Sequence, residues 1–87
     1  MTPSNRQRLL LVQQVDPVHE QFIGVLRSLG VELVVTDDKN DALTMFREEE
    51  IDMVMIDIDL PDEQGIYLLD RMAADPRELP LGAISRR

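Results

Sequence analysis

The 87-residue sequence contains no cysteine and a single histidine, His19. Without cysteine it forms no disulfide and offers no thiolate nucleophile, and a lone histidine leaves a zinc site without its usual nitrogen and sulfur ligands. Its apolar runs, such as Leu9–Val12 and Met53–Ile56, are far shorter than the roughly 18 residues of a membrane span. We therefore expect a cytoplasmic protein that does not contact a membrane.

Positive charge is also scarce. Seventeen acidic residues outweigh nine Lys and Arg residues, and the net charge is −8. A surplus of this sign repels a phosphate backbone, which argues against direct binding of nucleic acid. With 44% hydrophobic residues the composition is that of a globular protein, and the length allows one small domain with a modest core.

The hydrophobic pattern predicts four strands that alternate with three helices. Residues 1–7 are polar and are expected to form a flexible lead-in to a folded domain of residues 8–87. The predicted strands are Leu9–Gln14, Glu32–Thr36, Asp52–Asp57 and Leu81–Ser85.

The segments between the strands carry apolar residues at helical spacing. The first helix is expected to begin at Asp16-Pro17, with Asp16 as N-cap, and to end at Gly30. The third is expected to stop before Asp75-Pro76, because the residue before proline disfavours helical geometry. The predicted buried stripes are Val18, Phe22, Val25, Leu26 and Leu29 in the first helix; Ala42, Leu43, Met45 and Phe46 in the second; and Ile66, Leu69 and Met72 in the third.

The third strand is continuously apolar, which is typical of a parallel sheet covered by helices on both faces. Strands that alternate with helices predict an α/β layer fold of right-handed units. Functional residues of such folds lie at the carboxyl ends of the strands. The strands end on Gln13 and Gln14, on Asp57 and on Ser85, so we expect these residues to face one crevice.

The stretch "MVMIDIDLPDEQG" places a proline four residues and a glycine eight residues after Asp57. With "DPVHEQFIGVLRSLG", "DALTMF" and "LPLGAIS" in the same order along the chain, residues 8–85 resemble the receiver domain of two-component response regulators. The resemblance implies a flavodoxin-like, doubly wound parallel sheet.

The same resemblance implies a chemistry. Asp57 would accept a phosphoryl group from a phosphohistidine on a histidine kinase or phosphotransfer protein, and the hydroxyl of Ser85 would sense it. A Mg²⁺ ion would be held by Asp57, by the backbone carbonyl of Asp59 and by the residues that end the first strand.

Three positions depart from the family pattern. Receivers usually end the first strand with a pair of carboxylates that hold Mg²⁺, whereas this chain has Gln13 and Gln14. A register shift of one residue would place Gln14 and Val15 there, which restores no acid pair. We therefore expect the Mg²⁺ site to be weak or absent. Arg86 follows Ser85 where the family prefers a small residue, and its guanidinium could cover Asp57 or be disordered at the chain end.

The family fold continues beyond the length of this chain, through a fourth helix, a fifth strand that bears a phosphate-binding lysine, and a fifth helix. We therefore expect a receiver that is truncated after its fourth strand. The edge of Leu81–Ser85 would then lack a neighbour, so that the chain self-associates or functions with the rest of a longer protein, such as an output domain.

Three functions fit these observations. The leading one is a signalling module, not an enzyme, that acts chiefly through protein contacts. The second is a true phosphoaspartyl-accepting receiver that controls an attached output domain. The third is an assembly fragment with a receiver-like fold, or a small enzyme of another α/β family, although the sequence has no Gly-rich phosphate loop, Ser-His-Asp set or HExxH helix.

Overall fold

The computed structural model describes residues 7–14 and 17–85. Strands and helices alternate along the chain as the hydrophobic pattern predicts, and a short 3₁₀ turn, Pro61–Glu63, precedes the third helix. The elements are β1 (Arg8–Val12), α1 (Pro17–Ser28), β2 (Glu32–Thr36), α2 (Lys39–Glu48), β3 (Met53–Asp57), α3 (Gln64–Ala73) and β4 (Leu81–Ile84).

The four strands form one parallel sheet in the order β2-β1-β3-β4. Val12 of β1 is paired with Thr36 of β2 and with Ile56 of β3, and Asp57 is paired with Ile84 of β4. The predicted α/β fold with a parallel sheet is confirmed. The expected first and fourth strands are longer than the observed ones, because β1 ends before Gln13 and β4 ends before Ser85.

The main core lies between the sheet and the helices α2 and α3. From the sheet, Leu10, Val12, Val54 and Ile56 enter this core, and each is at most 1% exposed. Each such buried side chain contributes on the order of 1.5–3 kcal/mol. The helical and loop side chains of the same cluster are Ala42, Phe46, Ile51, Leu60, Leu68 and Met72.

Helix α1 packs on the sheet through a narrower row of side chains than its sequence predicts. Ile23 is buried, whereas Val25 is 57% exposed and Leu29 is 72% exposed, so the prediction that these two lie in the buried stripe is wrong. The reason is geometric: Ile23 sits between half-buried Phe22 and Leu26, and this row faces the sheet while Val25 and Leu29 lie on its solvent side. The expected N-cap at Asp16 and the side chain of Val18 lie outside the described residues.

The prediction for the buried face of α3 is partly wrong. Ile66 is 59% exposed, while Leu68 and Met72, spaced by one helical turn, are buried against the sheet. Met72 lies in the core as predicted, and Leu69 is partly buried and packs against the same cluster. The helix ends at Ala73, before Asp75-Pro76, as predicted.

Local signals set the ends of the helices. Gly30 follows α1 with a φ of 84°, and its amide donates to the carbonyl of Arg27, which confirms the expected C-cap. The side chain of Asp38 accepts a hydrogen bond from the amide of Asp41 at 3.0 Å and caps the start of α2. Within the described part of the chain, no helix is long and apolar enough to cross a membrane.

Candidate functional site

The carboxyl ends of β1, β3 and β4 bring the predicted site residues to one edge of the sheet. Because Val12 is paired with Ile56, Gln13 follows β1 at the level of Asp57. Asp57 is in turn paired with Ile84, the residue before Ser85. Gln13, Asp57 and Ser85 therefore follow or end neighbouring strands at one edge of the sheet, although more than forty residues separate Gln13 from Asp57 in the sequence.

Asp57 is fully buried at the end of β3. Its Oδ1 atom accepts a hydrogen bond from the backbone amide of Asp59 at 2.7 Å, and its carbonyl oxygen accepts one from the amide of Leu60 at 3.3 Å. A buried carboxylate is costly unless such donors compensate it. The turn after β3 thus supplies a hydrogen-bond donor to the carboxylate. This donor helps to explain how an apolar strand can end on a buried aspartate.

Gly65 explains why the motif needs a glycine eight residues after Asp57. A Cβ atom at this position would overlap the carbonyl oxygen of Asp57 and would lie 2.9 Å from the Cα of Ile58. Only a residue without a side chain allows the first turn of α3 to pack this closely against the end of β3. The pattern was visible in the sequence, but its cause lies in this contact.

The loop between Asp57 and Gly65 has an uncommon backbone. Pro61 opens the 3₁₀ turn, and Asp62 and Glu63 both have a φ of 58°. The left-handed region is unusual for residues with a side chain, and Glu visits it less readily than Asp. No sequence signal predicted this conformation.

Ser85 contacts Asp59. Its Oγ atom donates a hydrogen bond to Oδ2 of Asp59 at 3.3 Å, and the serine is exposed. The sequence predicts a role only for the backbone carbonyl of Asp59, so the contact made by its side chain is an additional feature of the site. Its position two residues after Asp57 was the available signal, but the contact depends on the pairing of β3 with β4. Arg86 lies outside the described residues.

Gln13 is fully buried at the end of β1, and Gln14 beside it is half-buried. The backbone amide of Gln13 donates to the carbonyl of Thr36 at 3.0 Å. Within residues 7–14 and 17–85, neither Nε2 nor Oε1 of Gln13 has a hydrogen-bond partner. Leaving a buried amide unpaired costs about 1–3 kcal/mol. The burial of Gln13 and its unpaired amide could not be deduced from the sequence.

The residues at this edge of the sheet differ in charge. Asp57 and Asp59 carry carboxylates, whereas Gln13 and Gln14, which follow β1, carry neutral amides. Over the described ranges, no three His, Cys, Asp or Glu residues are grouped so that they could hold a metal ion. Mg²⁺ is bound chiefly by carboxylates and water, so the amides that follow β1 are weaker ligands than a pair of carboxylates would be.

Comparison with known proteins gives a consistent result. A family model described as "Response regulator receiver domain" matches residues 9–87. The DNA-binding response regulator MtrA of Mycolicibacterium smegmatis is 37% identical over 70 residues, which are 80% of this chain. This chain spans only 31% of the length of that relative.

Two solved structures show the same fold. A CheY-like receiver domain from Methylobacillus flagellatus has a TM-score of 0.79 at 30% identity, covering 93% of this chain and 70% of that one. A chain in the crystal structure of the histidine kinase ThkA in complex with the response regulator TrrA also has a TM-score of 0.79, at 20% identity, covering 92% of this chain and 69% of that one.

Proposed function

Because the chain belongs to the response regulator receiver domain family, we propose that it is a signalling module that acts chiefly through protein contacts, with Asp57 as a candidate phosphoacceptor. The observation that carries the proposal is the buried side chain of Gln13, which stands beside Asp57 where receivers usually have a carboxylate. An amide at this place removes one negative charge from the crevice, and Gln14 removes a second.

The size of this effect follows from simple electrostatics. A carboxylate and a dication about 4 Å apart attract each other by roughly 8 kcal/mol before desolvation, at an effective dielectric constant near 20. Desolvation offsets most of this energy, and an amide retains an oxygen ligand but no charge. Two such replacements are expected to lower Mg²⁺ affinity by orders of magnitude. Phosphoryl transfer relies on charge neutralisation, so phosphorylation of Asp57 is expected to be slow.

Intact-mass spectrometry after incubation with acetyl phosphate, with and without Mg²⁺, tests the proposal. We expect little phosphorylation of the wild-type chain under either condition. The double variant Gln13→Asp/Gln14→Asp is expected to bind Mg²⁺ more tightly and to be phosphorylated faster. Asp57→Asn, introduced into the double variant, should abolish the phosphorylated species in the mass spectrum.

The proposal fails if the wild-type chain is phosphorylated as fast as the double variant. It also fails if calorimetry gives the wild-type chain submillimolar Mg²⁺ affinity.

The second candidate function is a true phosphoaspartyl receiver that controls an attached output domain. It is favoured by the hydrogen bonds that join Asp57 to Asp59 and Asp59 to Ser85, because they gather a carboxylate and a hydroxyl where a phosphoryl group would be held. Its partner would be a histidine kinase or phosphotransfer protein. Rapid transfer from a phosphohistidine donor to Asp57, lost in Asp57→Asn, would favour this candidate over the first.

The remaining parts of the proposal concern partners and location. We propose a cytoplasmic module that is not an enzyme and that contacts neither a membrane nor nucleic acid directly, and the net charge of −8 supports the last point. The third candidate role is that of a non-signalling assembly fragment with a receiver-like fold, which would self-associate or assemble with a longer protein.

A further inference from the structure

A groove between α2 and α3 carries three positively charged side chains, Lys39, Arg47 and Arg71. Lys39, Leu43 and Arg47 follow one another at a spacing of four along α2, and Tyr67 and Arg71 do so along α3. The two rows meet, because Nζ of Lys39 lies 5.1 Å from the centre of the Tyr67 ring. We call this surface, formed by Lys39, Leu43, Phe46, Arg47, Tyr67 and Arg71, the α2–α3 groove.

Tyr67 is held in place at one end of the groove. Two cations contact its ring. Nζ of Lys39 lies 5.1 Å from the ring centre, and Cζ of the Arg71 guanidinium lies 5.2 Å from it. Nε of Arg71 also donates a hydrogen bond to the Tyr67 hydroxyl at 3.1 Å. The tyrosine remains 40% exposed. Pre-ordered Tyr and Arg side chains are the types that contribute most to protein interfaces, because little conformational entropy is lost when a partner binds.

The other end of the groove has an apolar floor. Phe46 is 3% exposed, and the Arg77 guanidinium lies 4.4 Å from its ring centre and donates to its carbonyl oxygen at 2.8 Å. Asp75 neutralises Arg77 through a hydrogen bond of 2.9 Å. A cavity of about 220 Å³ opens here, lined by Leu43, Phe46, Arg47, Arg71 and Asp75.

The positive charge of Arg47 is not used internally. The described residues offer it no ion pair or hydrogen bond, although it lines the cavity and is exposed. Asp75 is the acidic residue among those that line the cavity, and it is paired with Arg77. Asp41 and Glu48 on α2 and Asp70 on α3 are exposed and do not line it. The groove is therefore a short cationic strip on a chain of net charge −8.

We propose that the α2–α3 groove docks a short acidic peptide segment of a partner protein, with an apolar side chain of that segment on the floor formed by Leu43 and Phe46. The cations span Lys39 to Arg47, about 12 Å along the helix axis, which matches a few peptide residues. A long polyanion would extend over the flanking acids and be repelled. This docking surface is independent of the chemistry of Asp57.

The test uses a fluorescein-labelled, glutamate-rich peptide with one central leucine. At low salt we expect saturable binding by fluorescence anisotropy, weakening as salt screens the charges, with NMR shifts at Leu43, Tyr67 and Arg71. Arg47→Glu is expected to weaken binding about fivefold or more, whereas Arg47→Lys retains most of it.

Arg27→Glu is the matched control, because it changes the net charge equally but lies on α1. That helix packs beside Val35, on the opposite face of the sheet from the core that holds α2 and α3. Circular dichroism checks that each variant is folded. An equal loss in the control overturns the proposal, as does equally tight binding of a labelled oligonucleotide. Occupation of the groove by a second copy of the chain, seen as an Arg47-dependent dimer in sedimentation, also overturns it.

Discussion

The Cα atom of Gly65 lies against the carbonyl oxygen of Asp57, so that a Cβ atom at position 65 would overlap this oxygen. The contact joins the start of α3 to the end of β3, and it fixes the loop whose Asp59 amide reaches the carboxylate of Asp57 at 2.7 Å. The geometry of the candidate phosphoacceptor therefore depends on a residue that has no side chain.

Gly65→Ala is expected to destabilise the chain by about 1–3 kcal/mol, because the new methyl group meets backbone atoms that cannot move without shifting β3 or α3. Urea unfolding measures the change. Gly24→Ala is the matched control, since a Cβ atom in the middle of α1 meets nothing within 4 Å. The control should be neutral or stabilising by about 0.5–1 kcal/mol. Equal effects of the two substitutions would contradict the close contact.

Gln13→Met is expected to stabilise the chain by about 1 kcal/mol, because it replaces a buried amide that has no hydrogen-bond partner among the described residues with an apolar side chain of similar size. Gln13→Asp should have the opposite effect in the absence of metal, since it buries a charge near Asp57. Thermal or urea unfolding of the wild-type chain and the two variants gives the order of their stabilities. A loss of stability in the Met variant would show that the amide is engaged in solution.

Asp75 and Arg77 predict a pH-dependent contribution to stability. The hydrogen bond from the Arg77 side chain lowers the pKa of Asp75 below its ordinary value of 3.8. A lowered carboxylate pKa stabilises the folded state above 3.8, and the contribution is lost as the pH falls through the folded-state pKa. Asp75→Asn should therefore lower the urea midpoint slightly at neutral pH but not under strongly acidic conditions. Asp70→Asn, an exposed control on α3, should show no such difference.

The 87-residue chain is expected to self-associate through β4. In the described sheet β4 is an edge strand, with β3 on one side and no strand on the other. Such an edge presents backbone donors and acceptors to another chain. Analytical ultracentrifugation should show oligomers, and Ala83→Lys, a charge at an exposed position of this edge, should shift them toward monomer. A monodisperse wild-type monomer that melts cooperatively above about 50 °C would contradict this expectation.

The order of the elements, the parallel α/β fold and the position of Asp57 at a strand end were determined by the sequence alone. The signals for them are local: the apolar runs of the strands, Gly30 after α1, and the spacing of Pro61 and Gly65 after Asp57. Each depends on residues within one turn or one strand, where backbone preferences act directly.

Tertiary structure alone decided which helix rows are buried and what the site residues contact. A helix with several apolar residues offers more than one row to a sheet, and the position of the sheet left Val25, Leu29 and Ile66 exposed. The burial of Gln13 and the contact of Ser85 with Asp59 depend on the register between strands distant in sequence. No local preference specifies that register, because it is set by the packing of the whole sheet.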